Sequence, residues 1–125
     1  MKTFSETSIK LHPITREALD LFTERIKEHE GDNLRKVILF GSVARGEAQK
    51  DSDIDVLAIL KKCNTFEEKE KVWKTSVEVM LEMDNDENAY LQVLPISEEE
   101  SKGLSFYELM FNVDKEGLIL YDTQQ

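Results

Sequence analysis

At 125 residues the chain suits one hydrophobic core and is too short for two, and its 40% apolar and 34% charged residues exclude a disordered or fibrous protein. Acids outnumber bases 26 to 16, and the net charge of −10 argues against direct attraction to a nucleic-acid backbone; a protein partner or a cationic small molecule suits it better. The apolar runs fall far short of the roughly 20 residues of a membrane span, Met1–Lys10 lacks the apolar centre of a signal peptide, and a lone cysteine, Cys63, can make no internal disulfide, so a cytoplasmic protein is expected.

Residues 1–125 read as a single domain, with residues 1–12 a loose arm and residues 122–125 a frayed tail. Pro13 opens a helix running to about Glu30, where Gly31 stops it. Ile14, Ala18, Leu21, Phe22 and Ile26 form its buried stripe. His12 and His29, the only histidines, flank this helix far from other ligand types and read as surface residues. A strand from Arg35 to Phe40 follows, then a short helix over 42–48, a returning loop at Gln49-Lys50-Asp51, and a strand from Asp53 to Leu60. The run Val56-Leu57-Ala58-Ile59-Leu60 is apolar on both faces, as a central strand requires.

Thr65-x-x-Glu68 is a capping box for a helix reaching about Met83, with Trp73, Val77, Met80 and Leu81 spaced to face the core. A third strand from Ala89 to Leu94 ends at Pro95. Capping boxes at Ser97-x-x-Glu100 and Ser105-x-x-Glu108 predict a short helix and then one reaching about Lys115, with Gly117 as its stop. Leu118 to Tyr121 add a last strand. The order predicts an α/β (α+β) fold with one sheet of about four strands.

The chemistry concentrates between Val37 and Leu60. Four apolar residues run into Gly41-Ser42, ten residues intervene, and Asp53-Ile54-Asp55 opens the next apolar run. A side-chain period of two sends Asp53 and Asp55 to the same face and Ile54 to the other. Two adjacent carboxylates repel unless a cation sits between them, and hard oxygen ligands favour Mg²⁺. Gly41 allows a turn that a Cβ would crowd, and the amides opening the next short helix are suited to an anion. Together these features suit a nucleoside triphosphate.

Gly41-Ser42, Ala44-Arg45-Gly46, Ser52 and Asp53-x-Asp55 at this spacing resemble the nucleotidyltransferase superfamily related to DNA polymerase beta, and most closely its minimal (MNT) members. The resemblance covers about a fifth of the chain specifically. It implies the nucleotidyltransferase fold, a mixed sheet with helices packed mainly on one face. It also implies Mg²⁺-dependent transfer of a nucleotide, AMP from ATP, to a hydroxyl. Asp53 and Asp55 would be the catalytic metal ligands, holding one Mg²⁺ at the triphosphate and sharing a second near the α-phosphorus, Gly41 and Ser42 would hold the terminal phosphates, and Arg45 would meet the triphosphate unless it pairs with Glu47 or Asp51. Lys50 is a weaker phosphate candidate.

One feature departs from the family. A third carboxylate is expected on the following strand, where this chain has Gln92, which can ligate through its oxygen but carries no charge and cannot act as a base. Asp86 and Glu87, just upstream, are the nearest substitutes. The acceptor is the other gap: a unit of this size needs help from a second protomer, as in a homodimer, or from another protein. The minimal family is often the antitoxin half of a HEPN/MNT pair, so a HEPN-type helical partner is implied. The alternatives are a nucleotide- or partner-binding module without turnover, and an aminoglycoside-type nucleotidyltransferase.

Overall fold

The computed structural model describes residues 1–49 and 52–124. Lys50, Asp51 and Gln125, and with them the Lys50 phosphate candidate and the Arg45–Asp51 alternative, lie outside the described residues. Strands β1 (Lys2–Thr3), β2 (Leu34–Phe40), β3 (Ile54–Leu60), β4 (Leu91–Ser97) and β5 (Leu118–Asp122) form one sheet in the order β1-β5-β2-β3-β4. The pairs β1–β5 and β3–β4 are parallel, and β2 lies antiparallel to both β3 and β5. The sheet is mixed as expected but has five strands among the described residues rather than about four. The extra one is a two-residue edge strand in the N-terminal arm, too short to leave a periodic pattern.

Helices α1 (Pro13–Glu30) and α3 (Phe66–Glu82) cover one face of the sheet. There Leu19, Phe22 and Ile26 of α1 are fully buried with Val37, Leu39, Val56, Ala58 and Leu60, each large side chain contributing about 1.5–3 kcal/mol of burial. Pro13 sits at N1, and the exposed His12 caps the helix, its Nδ1 accepting from the Ile14 amide at 3.1 Å. The opposite face carries a smaller cluster of Ile38, Leu57, Ile59 and Ile96, covered by Val113, Leu109 and Met110 of α5 (Tyr107–Glu116). Between these, α2 spans Gly41–Ala44 and α4 spans Glu98–Ser101. No helix among the described residues is long and apolar enough to cross a membrane.

Three local expectations are corrected. In α3 the buried residues are Val72, Thr75, Ser76 and Val79, while Trp73, Val77 and Leu81 are exposed. The helix turns its small residues to the core because their hydroxyls are satisfied: Thr75 meets His29 Nδ1 at 2.9 Å and Ser76 donates to the Trp73 carbonyl at 2.6 Å. Strand β4 does not stop at Pro95 but continues to Ser97. It is an edge strand, and the Pro95 carbonyl accepts from Lys69 Nζ at 3.1 Å, so the proline nitrogen faces the open edge and costs no ladder bond. Ser105 does not cap a helix: it lies in a 3-10 turn (Leu104–Phe106), and α5 starts at Tyr107 without a side-chain cap.

Candidate functional site

Strand register assembles the site. Phe40 pairs with Asp55 across β2–β3, and Asp55 pairs with Gln92 across β3–β4, so one row crosses three strands. Alternation puts Asp55 and Gln92 on the α5 face, beyond the end of the apolar cluster, while Ile54 turns into the other core. Asp53, just before β3, is exposed, and Asp55 is half-buried.

The chain turns directly over this row. Gly41 has φ +75°, and a Cβ there would overlap Asp55 Oδ2, with Asp55 Cγ at 3.1 Å. Only glycine permits both this backbone conformation and the approach. Ser42 follows in the first turn of α2, half-buried, so the bend and the acids share one locality.

Gln92 ties the acids together. Oriented to satisfy its neighbours, its amide nitrogen donates to Asp53 Oδ2 at 3.3 Å and to Asp55 Oδ1 at 3.2 Å. Burial holds the Asp55 carboxyl above the usual carboxylate range; the nearby Asp53 charge adds to this, and Arg45 opposes it. Two carboxylate oxygens converging on one point is a donor set that fits a hard divalent cation, which would relieve that repulsion. Among the described residues, no three His, Cys, Asp or Glu side chains gather as a metal-binding group.

Arg45 does not lie free beside the acids. It donates to Glu47 Oε2 and to Glu116 Oε1 of α5, both at 3.0 Å. The pairing with Glu47 was legible in the sequence, two residues apart. The pairing with Glu116 joins residues 71 apart in the sequence and left no local signal. A separate cleft of about 310 Å³ is lined by His12, Thr15, Ser52 and Ile54; because Ile54 faces it, it lies across β3 from Asp55. The acids instead sit in an open surface site.

A nucleotidyltransferase fold with paired acids at the start of a strand beside a glycine turn is thus the class that the geometry defines. The chain belongs to the nucleotidyltransferase domain family, whose profile matches residues 19–107. A candidate protein adenylyltransferase of Methanocaldococcus jannaschii is 45% identical over 53 residues, which are 42% of this chain and 54% of that protein. A second from the same organism is 51% identical over 43 residues, 34% of this chain and 29% of that one. The match thus spans about half the length of the first relative and less of the second.

Solved structures share the fold at lower identity. A toxin–antitoxin structure with AMP-PNP aligns with TM-score 0.58 and 19% identity, covering 83% of this chain and 73% of that one. The tri-AMPylated Shewanella oneidensis HEPN toxin in complex with MNT antitoxin aligns at 0.55 and 16%, covering 89% and 75%. Spectinomycin adenyltransferase AAD(9) from Enterococcus faecialis, with ATP and spectinomycin, aligns at 0.64 and 15%, covering 86% and 56%.

Proposed function

We propose that this chain is a Mg²⁺-dependent adenylyltransferase that moves AMP from ATP to a hydroxyl on a partner protein. The observation that carries this reading is the closure of the Gly41 turn onto Asp55, with Asp53 brought to the same point by Gln92. Its family membership and the adenylyltransferase relatives support the reaction class. The toxin–antitoxin neighbours and the net charge of −10 support a protein acceptor, a HEPN-type helical protein being the first to test.

In this reading Asp53 and Asp55 would hold the cation. Gly41 lets the phosphates approach the backbone, and Ser42 offers its hydroxyl and amide to the terminal phosphates. Arg45 would reach the triphosphate by exchanging a glutamate for a phosphate. Magnesium, when bound, supplies charge neutralisation and Lewis acidity. The acceptor oxygen bonds to the α-phosphorus as the bond to the β-phosphate breaks, pyrophosphate leaves, and the hydroxyl proton passes to water.

A second reading, a nucleotide-dependent binding module without turnover, draws on the neutral Gln92 beside the acids. Incubation with α-labelled ATP, Mg²⁺ and the helical partner separates the two. The enzyme labels the partner, and Asp53→Asn abolishes the label while pull-down persists. Tight co-purification with no label from the wild-type chain establishes the module instead. Absence of any Mg²⁺·ATP binding in calorimetry overturns both.

A further inference from the structure

The acids nearest in sequence do not complete the site. Asp86 Oδ1 accepts from the Asn88 amide at 2.8 Å and from Asn88 Nδ2 at 3.1 Å, which caps the 3-10 turn Glu87–Ala89. Glu87 lines the cleft across β3. The place beside Asp53 and Asp55 belongs to Gln92, in register with Asp55 and exposed on the edge strand β4.

We propose that Gln92 is a positioning residue that sets this site to hold one divalent cation with the nucleotide rather than two. This rests on the nucleotidyltransferase reading above and specifies its metal chemistry. Asp53 and Asp55 offer one dication a pair of charged protein ligands, with the triphosphate supplying the remaining charge. A second, about 3.5–4 Å from the first in two-metal sites, would gain no protein charge from β4, because an amide is neutral.

Gln92 serves the pair in both of its states. Without a cation its NH₂ donates to each acid, offsetting their mutual repulsion and holding their oxygens at a fixed spacing. With a cation, a half-turn of the amide puts Oε1 where the nitrogen was and adds a neutral ligand. The exposed side chain can make that turn without repacking its neighbours. A carboxylate at this position could ligate but could not bridge the empty pair as a donor.

The test counts Mn²⁺ by electron paramagnetic resonance on the full chain with a non-hydrolysable ATP analogue. One Mn²⁺ per nucleotide-bound chain is expected in the wild type and two in Gln92→Asp. The variant's second ion should bind at Mn²⁺ concentrations about tenfold or more below those at which the wild type still holds one. Two ions in the wild type, or one in a folded Gln92→Asp, overturn the inference alone. No Mn²⁺·analogue binding in either protein overturns the nucleotidyltransferase reading and this inference with it.

A measurement on the wild type needs no variant to fold. The Gln92 side-chain NH₂ resonances should shift on adding Mg²⁺ and the analogue, while those of Gln49 and Gln124 stay in place. Unmoved Gln92 signals, with the Asp55 amide shifting, overturn the proposal.

Discussion

The parallel pair β3–β4 carries acids near both ends, and the two ends treat them in opposite ways. Beyond the Ser97 end, Glu100 Oε1 accepts from the Ser97 amide at 3.0 Å and from Lys69 Nζ at 2.9 Å, and Ser97 Oγ accepts from the Glu100 amide at 3.0 Å. Burial pushes the Glu100 carboxyl up, but the bonds from Lys69 and Ser97 together hold it below the usual range. At the other end, burial and Asp53 push Asp55 up, and the Gln92 amide is the neutral bridge between them. The first arrangement stabilises the fold. The second keeps like charges together at a cost in stability, which is the expected signature of a site shaped by function.

Removing the acids should give the largest contrast. Asp53→Asn and Asp55→Asn are each expected to lower label transfer about 10³-fold. Asp55→Asn should also raise the thermal midpoint of the metal-free chain by about 2–4 °C, read by calorimetry, since a half-buried charge facing a like charge is gone. A fall in midpoint there would break the comparison.

Gly41→Ala comes next. It forces a side chain into a left-handed backbone conformation and against Asp55, so a loss of about 1–3 kcal/mol is expected in urea unfolding, together with loss of Mg²⁺·ATP binding.

Lys69→Met acts at the opposite end and should cost about 1–2 kcal/mol at pH 7 without changing ATP affinity. The sign of its pH dependence follows from Glu100. A carboxyl depressed in the folded state contributes stability above its unfolded pKa and loses it as pH falls through the folded value. The gap between wild type and Lys69→Met should therefore narrow under acid, as urea titrations across pH will read.

The smallest effect is expected at Arg45. Glu116→Gln frees one arm of an exposed pair, so stability should change by less than about 0.5 kcal/mol. ATP should bind about two- to threefold tighter if Arg45 then turns to the triphosphate. Unchanged affinity would place Arg45 as a brace between α2 and α5.

Much of this was legible because it is local. Pro13 starts α1, the Thr65 and Ser97 capping boxes start α3 and α4, and strand alternation sends Asp55 away from Ile54, whereas the His12 cap of α1 was not foreseen. Three of the misreadings involve a distant partner, whereas the 3-10 turn that displaces the Ser105 cap is local. The exposed side of α3 depended on His29 of α1 meeting Thr75, and the length of β4 depended on Lys69 reaching the Pro95 carbonyl. The two-residue β1 forms only because β5 offers it an edge.

The chain's own order of residues determined the glycine–serine bend, its ten-residue distance from the paired acids, and the neutral Gln92 on the strand that follows them. Tertiary structure alone decided that Gln92 lands in register with Asp55 and reaches both acids, and that Arg45 is held by α5. The division has a physical cause. Turns, caps and alternation are set by interactions within a few residues, whereas strand register and long-range ion pairs are set by how the whole core packs.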